Sequence, residues 1–310
     1  MKGADMSEII LHHYPTSPYA EKVRLAFGLK GISWRSVHVP MIMPKPELMP
    51  LTGGYRRTPV MQIDADIYCD TLCILREVER RFPVPSFYPN GEAGLAHAVT
   101  WWAEKSLFDT AVGVAFGEMG DKLPEGFLKD RGEMSGRELS AERMKSARPV
   151  LVDQLRAHFT FLDDMLRRNP FLLAKQPNLA DLAAYHPVWF IAKNCAKETS
   201  PFNEYPRIVE WMARMAALGH GKVTPMKAAE ALEVAKTAKP SRADSTDPND
   251  PGGRKAGQQV KVTPSEFGRV PVVGEIIASS ADEIVIRRMD ETVGEVLVHF
   301  PRAGFIVSPA

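Results

Sequence analysis

The sequence is poor in cysteine and has no excess of charge of either sign. Only three of its 310 residues are cysteine, an odd number, so no disulfide framework is indicated. We therefore expect a reducing, cytoplasmic compartment. Lysine and arginine number 39 against 38 aspartate and glutamate. A net charge of +1 offers no electrostatic basis for binding nucleic acid or an anionic membrane, and we expect neither partner.

Long apolar runs are also lacking. No stretch approaches the roughly 18 to 20 residues that a membrane-spanning helix needs. Residues 1–8 are polar, so we expect no secretory signal. Hydrophobic residues nevertheless make up 45% of the chain and charged residues 25%, which is typical of a folded globular protein. At roughly 150 residues per domain, the length predicts about two domains.

Residues 239–257 contain no valine, isoleucine, leucine, methionine or aromatic residue. Proline, glycine, serine and aspartate replace them, which predicts a flexible linker. Residues 258–310 then carry about five short β-branched runs separated by turns, the pattern of a small barrel or curled sheet. A unit this short is only marginally stable alone, so we expect it to dock on the rest of the chain. Its role is not indicated by the sequence.

Residues 1–85 alternate between strand and helix patterns. A strand at 9–13, a helix at 18–30, a strand at 33–39, a hairpin at 59–68 and a helix at 70–82 follow one another. The order β-α-β-β-β-α predicts a compact three-layer α/β domain.

Residues 91–238 show helical periodicity and no strand pattern, which predicts an all-helical second domain. Asn178, with an acidic residue three positions later at Asp181, has the layout of a helix capping box. Residues 117–140 are polar and rich in glycine, and we interpret them as a long exposed loop.

Four motifs in this order resemble the glutathione transferase superfamily. Ser17-Pro18-Tyr19-Ala20-Glu21-Lys22-Val23-Arg24 resembles the first-helix motif of its plant tau and omega-like branches. Arg57-Thr58-Pro59-Val60 is similar to the segment around the family's cis-proline, Asp70-Thr71 to its acidic-serine pair, and Asn178 to Asp181 to the cap of its buried helix. The resemblance covers roughly residues 8–236. It implies a thioredoxin-like glutathione-binding domain followed by an all-α domain, and it says nothing of the C-terminal strands.

The resemblance implies that Ser17 activates glutathione. A thiol with a pKa near 8.5 is mostly protonated at neutral pH, and lowering its pKa to about 7 needs roughly 2 kcal/mol. A hydrogen bond from Ser17 and the positive end of the following helix can supply this. Tyr14, near the end of the first strand, is the alternative catalytic residue. Each has an ordinary structural interpretation, as a helix N-cap for Ser17 and as strand-end packing for Tyr14.

Serine instead of cysteine at position 17 argues against a thiol reductase and for conjugation, peroxide reduction or isomerisation. Glutathione would pair with the backbone of Thr58, its ammonium and carboxylate would meet Asp70 and Thr71, and its glycyl carboxylate would meet basic residues, with Lys45 as a weaker candidate. Helix capping and solvated charge are the alternatives for these side chains. The implied glutathione-binding set is Tyr19, Arg56, Arg57, Thr58, Pro59, Asp70 and Thr71.

An apolar acceptor pocket is expected between the two domains. The residues proposed to line it belong to the first long helix, where ordinary helical core is the competing interpretation: Trp101, Trp102, Lys105 and Phe108. Cys69 and Cys73 share a helix face without a histidine pair nearby, so we expect buried small hydrophobic residues and no metal site.

The sequence thus predicts a homodimeric transferase that uses glutathione as co-substrate and attacks a small, apolar electrophile. A binding or scaffold protein of the same fold is the first alternative. A glutathione-dependent isomerase or peroxidase at the same site is the second.

Overall fold

The N-terminal part of the chain is an α/β unit in which helices flank a mixed sheet. The computed structural model describes residues 7–196, 201–202, 204–240 and 245–310. β1 pairs in parallel with β2 and antiparallel with β3, and β3 forms a hairpin with β4, which matches the predicted β-α-β-β-β-α order apart from the short α2. The elements are β1 (Ile9–His13), α1 (Pro18–Leu29), β2 (Ser33–His38), α2 (Met49–Thr52), β3 (Val60–Ile63), β4 (Asp66–Cys69) and α3 (Thr71–Arg81).

The next region is mainly helical. The buried helix α8 (Leu179–Asn194) begins at the predicted capping box, in which the Asn178 side chain accepts the Ala180 N–H at 2.9 Å and Asp181 accepts the Asn178 N–H at 3.0 Å. Asp181 also accepts the indole N–H of Trp211 at 2.8 Å, which ties α8 to α9 (Pro206–Ala216). The elements are α4 (Ala93–Trp102), a π-helical segment (Ala103–Leu107), α5 (Phe108–Met119), a 3-10 turn (Gly120–Lys122), α6 (Glu125–Ser135), α7 (Ala141–Met165), α8 (Leu179–Asn194), α9 (Pro206–Ala216) and α10 (Ala228–Thr237).

Two local predictions in this region are wrong. The segment interpreted as an exposed loop contains α6, whose buried residues are only Phe127, Asp130 and Met134. The helix has three apolar residues in eleven, and only two of them are buried, which is too few for a helical period to show. A four-residue strand, β5 (Lys222–Pro225), also interrupts the predicted all-helical stretch and pairs in parallel with β2. All its residues are exposed, so it has no alternation of buried and exposed positions to detect.

The C-terminal module has five strands, as predicted: β6 (Gln259–Pro264), β7 (Val272–Ser279), β8 (Glu283–Asp290), β9 (Gly294–Pro301) and β10 (Phe305–Pro309). β6 to β9 form an antiparallel meander, and β10 returns to pair with β6. Because only residues 302–304 separate β9 from β10, the sheet must curl to bring β10 across to β6. The barrel-like prediction is confirmed in this sense.

The module docks by extending the N-terminal sheet. β9 pairs in parallel with β4, with Asp66 opposite Leu297 and Tyr68 opposite His299. The result is a continuous ten-stranded sheet in the order β10-β6-β7-β8-β9-β4-β3-β1-β2-β5. One apolar core spans the junction, so the expectation that the short module docks on the rest of the chain is confirmed. Its members include Val60, Ile67, Val260, Ile286, Val298 and Phe300.

The described part of the predicted linker, 245–257, follows the module rather than extending away from it. The Ser245 N–H donates to the Ile277 carbonyl at 3.1 Å, and the Gly257 N–H donates to the Ile276 carbonyl at 2.9 Å. Arg254 pairs with Asp250 at 2.8 Å and reaches the Val307 carbonyl at 3.1 Å. Across the described ranges, no helix combines the length and the apolar character needed to cross a bilayer.

Candidate functional site

Three of the predicted segments converge at one end of the sheet. His12 of β1 lies opposite Val60, the first residue of β3, and Val60 lies opposite Cys69, the last residue of β4. Strand pairing therefore places the turn after β1, the turn before β3 and the turn after β4 side by side. These turns carry Ser17, Thr58-Pro59 and Asp70-Thr71.

Ser17 is buried and caps α1. Its Oγ accepts the Ala20 N–H at 3.2 Å, with Pro18 at the first helical position. This contact uses an oxygen lone pair, so the hydroxyl proton is left to donate towards a ligand. The N-cap interpretation is thus confirmed, and it is compatible with the catalytic role, which stays a prediction.

The two tyrosines near Ser17 lie in different surroundings. The Tyr14 hydroxyl accepts from Arg131 of α6 at 3.4 Å. The Tyr19 ring packs against Phe108 and His186, each at 4.7 Å between centroids, and its hydroxyl donates to the Glu104 carbonyl at 3.4 Å. Burial, with the Glu104 carboxylate, raises the pKa of Tyr19 well above its usual range. Tyr19 therefore joins α1 to the helical region.

Asp70 and Thr71 begin α3. Asp70 has a φ of 76°, in the left-handed region that non-glycine residues rarely adopt, and its carboxylate accepts the Leu72 N–H at 3.0 Å. This confirms the N-cap interpretation for Asp70. Strained backbone of this kind is concentrated at functional sites. Thr71 is buried, and its hydroxyl accepts from Lys22 at 3.2 Å.

Lys22 is part of a buried polar cluster that the sequence did not reveal as a unit. Its side chain is 1% exposed and forms an ion pair with Glu104 of the π-helical segment. Burial raises the pKa of Glu104, and the Lys22 ammonium opposes that rise. His186 of α8 lies beside them, with its Nε2 4.0 Å from Glu104 Oε1. Neither ring nitrogen of His186 finds a hydrogen-bond partner in the described parts of the chain.

Lys22 belongs to the quoted first-helix motif, but Glu104 and His186 lie 82 and 164 positions further on. No periodic pattern marks such a distant pairing. Burial, with a smaller contribution from Lys22, lowers the pKa of His186 well below its ordinary value, so this imidazole is neutral.

The Thr58–Pro59 peptide bond is cis, as predicted from the resemblance. Just before it, Arg56 forms an ion pair with Asp130 of α6, and its backbone carbonyl accepts from Lys45 at 2.9 Å. Arg131 pairs with the same Asp130 carboxyl group at 2.5 Å. Burial, with the neighbouring charges of Arg131 and Arg56, lowers the pKa of Lys45 to about 8. Arg56 and Arg131 thus pair with one carboxylate, with Lys45 beside Arg56, where the glycyl carboxylate of glutathione was expected.

The four proposed acceptor residues divide into two groups. Trp101, Lys105 and Phe108 stand four and seven positions apart, on one helical stripe. Lys105 Nζ lies 5.0 Å from the Trp101 ring centroid, and Phe108 touches Tyr19 across the domain boundary. Trp102 instead donates its indole N–H to His158 of α7 at 3.2 Å, so its contacts lie among the helices.

A segment of the C-terminal module reaches the same region. We call residues 265–271 the β6–β7 loop. Glu266 forms an ion pair with Lys105, and the Phe267 ring lies 5.9 Å from the Arg57 guanidinium. The Gly268 N–H donates to the Met134 carbonyl of α6 at 2.8 Å. This approach of the loop was not predicted, because no sequence pattern indicates a role for the C-terminal module.

Glycine is required at the centre of that loop. Gly268 has a φ of +59°, and a Cβ there would lie 3.3 Å from Met134 and 3.6 Å from Arg57. A larger residue would be strained by the positive φ and would require the Met134 side chain to move.

Cys69 and Cys73 are buried, as expected, and burial raises the pKa of both thiols well above the usual range. The expectation that they share a helix face is wrong, because Cys69 is the last residue of β4 and only Cys73 lies in α3. Within the described ranges, no group of three or more histidine, cysteine, aspartate or glutamate side chains is arranged to hold a metal ion.

Comparison with known proteins identifies the family. Residues 11–86 match the family model of the glutathione S-transferase N-terminal domain, and residues 121–222 match a domain of unknown function. A GST-like protein from Pseudomonas syringae is 38% identical, with a TM-score of 0.76, over 98% of this chain and 100% of that chain. The chain belongs to the glutathione transferase superfamily. Because the Pseudomonas structure matches nearly the whole chain, this glutathione transferase homologue shares its C-terminal strands with a relative.

Other relatives match a shorter part. FtsZ-localized protein A of Caulobacter vibrioides is 26% identical over 183 residues, which are 57% of this chain and 74% of that protein. A solved structure of rice GST1 in complex with glutathione is 17% identical, with a TM-score of 0.51, over 68% of this chain and 87% of that one. The similarity to the rice structure covers only part of this chain and shows a shared fold.

Proposed function

We propose that this protein is a glutathione transferase in which Ser17 stabilises the thiolate of reduced glutathione. The convergence of Ser17, Thr58-Pro59 and Asp70-Thr71 at one end of β1, β3 and β4 carries this proposal. The membership in the superfamily supports it. We also propose that the protein is cytoplasmic and that it is a homodimer. Light scattering of the full chain tests the homodimer.

In the proposed reaction, the glutathione backbone pairs with Thr58, and Asp70 and Thr71 hold its γ-glutamyl end. The Ser17 hydroxyl donates to the sulfur at the N-terminus of α1, where backbone amides also favour negative charge. The thiol proton is released to solvent. The thiolate then attacks an electrophilic carbon, a carbon–sulfur bond forms, and a leaving group departs with its electron pair.

The test is calorimetric titration of reduced glutathione into the wild type and into Asp70→Ala and Ser17→Ala. We expect saturable binding that Asp70→Ala abolishes. Ser17→Ala should keep binding but raise the pKa of the bound thiol by about one to two units, because a charge-assisted hydrogen bond is lost. Ultraviolet thiolate absorbance across pH measures that shift, and turnover of an aromatic halide should fall in parallel.

Ser140→Ala is the matched control, because Ser140 caps α7 through the Arg143 N–H at 3.3 Å and lies outside the site. It loses a helix cap without losing the proposed donor. An identical thiol pKa in Ser17→Ala and Ser140→Ala would remove Ser17 from the mechanism. Absence of binding at millimolar glutathione would overturn the proposal as a whole.

Asp130 is expected to compete with glutathione for Arg56. Asp130→Asn removes the competing charge but keeps an acceptor for the Met43 N–H, which Asp130 Oδ1 now accepts at 3.0 Å. We expect the variant to bind glutathione more tightly, because the charge that competes for Arg56 in a largely buried ion pair is removed. Calorimetry measures this, with the exposed Asp153→Asn of α7 as control. Equal affinities in the three proteins would show that Arg56 does not hold the glycyl carboxylate.

A glutathione-dependent isomerase or peroxidase would use the same site, and substrate screens distinguish these reactions. A binding or scaffold role is the second candidate function. The similarity to a protein named FtsZ-localized protein A favours it. Co-sedimentation of the purified protein with FtsZ filaments tests it, and absence of glutathione binding together with co-sedimentation would select this function over catalysis.

A further inference from the structure

The β6–β7 loop contacts elements from both domains at the proposed site. Glu266 reaches Lys105 in the π-helical segment, Phe267 lies over Arg57 beside the cis-proline, and Gly268 bonds Met134 of α6. Val270 Cγ1 would lie 3.5 Å from a Cβ at Gly54, so the loop also follows the chain before the cis-proline. The C-terminal module therefore reaches both the helical segment that carries Lys105 and the chain around the Thr58–Pro59 peptide bond.

The chemical character of this region is aromatic and cationic. Trp101 and Phe267 are large aromatic side chains with 48% and 39% of their surface exposed. Lys105 contacts both sides of this region, because its ammonium lies near the Trp101 ring and pairs with Glu266, the neighbour of Phe267. Both members of this ion pair are substantially exposed, so an incoming anion can replace Glu266 at small energetic cost.

We propose that the β6–β7 loop forms one wall of the acceptor site, opposite the helical residues Trp101 and Lys105. In this proposal Phe267 and Glu266 select the substrate, which is an aromatic electrophile that carries an anionic group. The proposal rests on the function proposed above. The substrate ring packs against Phe267 and Trp101, and its anionic group takes the place of Glu266 on Lys105. Neutral or cationic acceptors do not displace Glu266 and therefore gain nothing from Lys105.

Two fluorescent probes separate the roles of the two residues. Anilinonaphthalene sulfonate is aromatic and anionic, and phenylnaphthylamine is its uncharged counterpart. Both are titrated into the full-length wild type and into Phe267→Ala, Phe267→Tyr, Glu266→Gln and Met289→Ala. Met289 is the control, because it is an exposed apolar residue of the same module, on β8 and outside the loop.

We expect Phe267→Ala to weaken both probes about two- to tenfold, the range of a lost aromatic contact, and Phe267→Tyr to restore them. Glu266→Gln should strengthen the sulfonate about two- to fivefold and leave the uncharged probe unchanged. Met289→Ala should change neither. Probe affinities that do not respond to either loop residue would overturn the proposal, as would a Met289→Ala effect equal to that of Phe267→Ala.

Titration of reduced glutathione into the same samples distinguishes this proposal from the one on which it rests. If the wild type binds no glutathione but the probes respond as expected, the loop lines an aromatic anion site and the transferase proposal fails. If glutathione binds and the probes do not respond to the loop variants, the transferase proposal stands and the loop is not a wall of the site.

Discussion

Replacing Lys22 with methionine is expected to lower the free energy of unfolding by about 3 to 5 kcal/mol, as removal of one partner of a buried ion pair does. Methionine fills a similar volume but leaves Glu104 without its ammonium partner, and it removes the donor to Thr71. Urea unfolding followed by circular dichroism measures the loss. Lys193→Met, at an exposed lysine of α8, is the matched control and should change stability by less than about 0.5 kcal/mol.

The pH dependence identifies the cause. The pKa of Glu104 is already raised in the folded protein, and without Lys22 it rises further. The loss of unfolding free energy in Lys22→Met should therefore be largest above the pKa that Glu104 has in the variant. It should shrink as the pH falls through that pKa, because a protonated carboxyl needs no partner cation. Combining Lys22→Met with Glu104→Gln should recover part of the loss. A penalty that is independent of pH and unaffected by Glu104→Gln would show that Lys22 contributes through packing alone.

The same variant connects stability with function. Lys22 bonds the hydroxyl of Thr71, which is proposed to hold the γ-glutamyl carboxylate, while Glu104 belongs to the segment that carries Lys105. One buried ammonium thus joins the start of α3, at Thr71, to the π-helical segment that carries Lys105. At pH values where Lys22→Met is still folded, its glutathione affinity should be reduced as well.

Elements with a dense local pattern were predictable from the sequence. The strand at 9–13, the helix from Pro18 and the capping box at Asn178 each depend on residues within a few positions of one another. β5 and α6 were missed for the opposite reason. β5 is an exposed edge strand and α6 buries only two apolar residues, so each is held by tertiary contacts that leave no period in the sequence.

The site shows the same division. Ser17, Thr58-Pro59 and Asp70-Thr71 lie beside chain turns, in short motifs whose resemblance to the family implied their roles. Glu104, Asp130 and Glu266 were not, because each contributes one charge from a distant element. The pairing of β4 with β9 was also beyond prediction, since Asp66 to Cys69 carries no feature that specifies a partner more than 200 residues later.

The second large effect on stability is expected at the junction between β4 and β9. His299 of β9 is 1% exposed and lies between two carboxylates, with Asp66 of β4 at 2.8 Å from its Nε2 and Glu283 of β8 at 3.2 Å from its Nδ1. Tyr68 stacks on the imidazole at 4.3 Å, and Arg76 of α3 lies 3.3 Å from Glu283. Burial alone would lower the pKa of His299, but the hydrogen bonds to the two carboxylates outweigh it and raise the pKa above 6.5.

His299→Gln is expected to destabilise the protein by about 3 to 5 kcal/mol at about pH 6, because it removes the cation between the two buried carboxylates. A raised pKa in the folded state means that the stabilisation by His299 is complete below the unfolded value of 6.5 and is lost as the pH rises through the folded value. The difference in unfolding free energy between wild type and variant should therefore narrow as the pH rises through the folded-state pKa of His299.

Urea unfolding across this pH range measures the difference, and amide hydrogen exchange at β4 and β9 locates it. His38→Gln, at an exposed histidine that ends β2, is the matched control and should follow the wild type. If the unfolding free energies of the wild type and of His299→Gln changed in parallel with pH, this result would contradict a charged His299. A narrowing confined to His299→Gln, with faster exchange at β4 and β9, would show that a protonated histidine stabilises the junction between the C-terminal module and the glutathione transferase sheet. The β6–β7 loop would then reach the acceptor site only while that junction is intact.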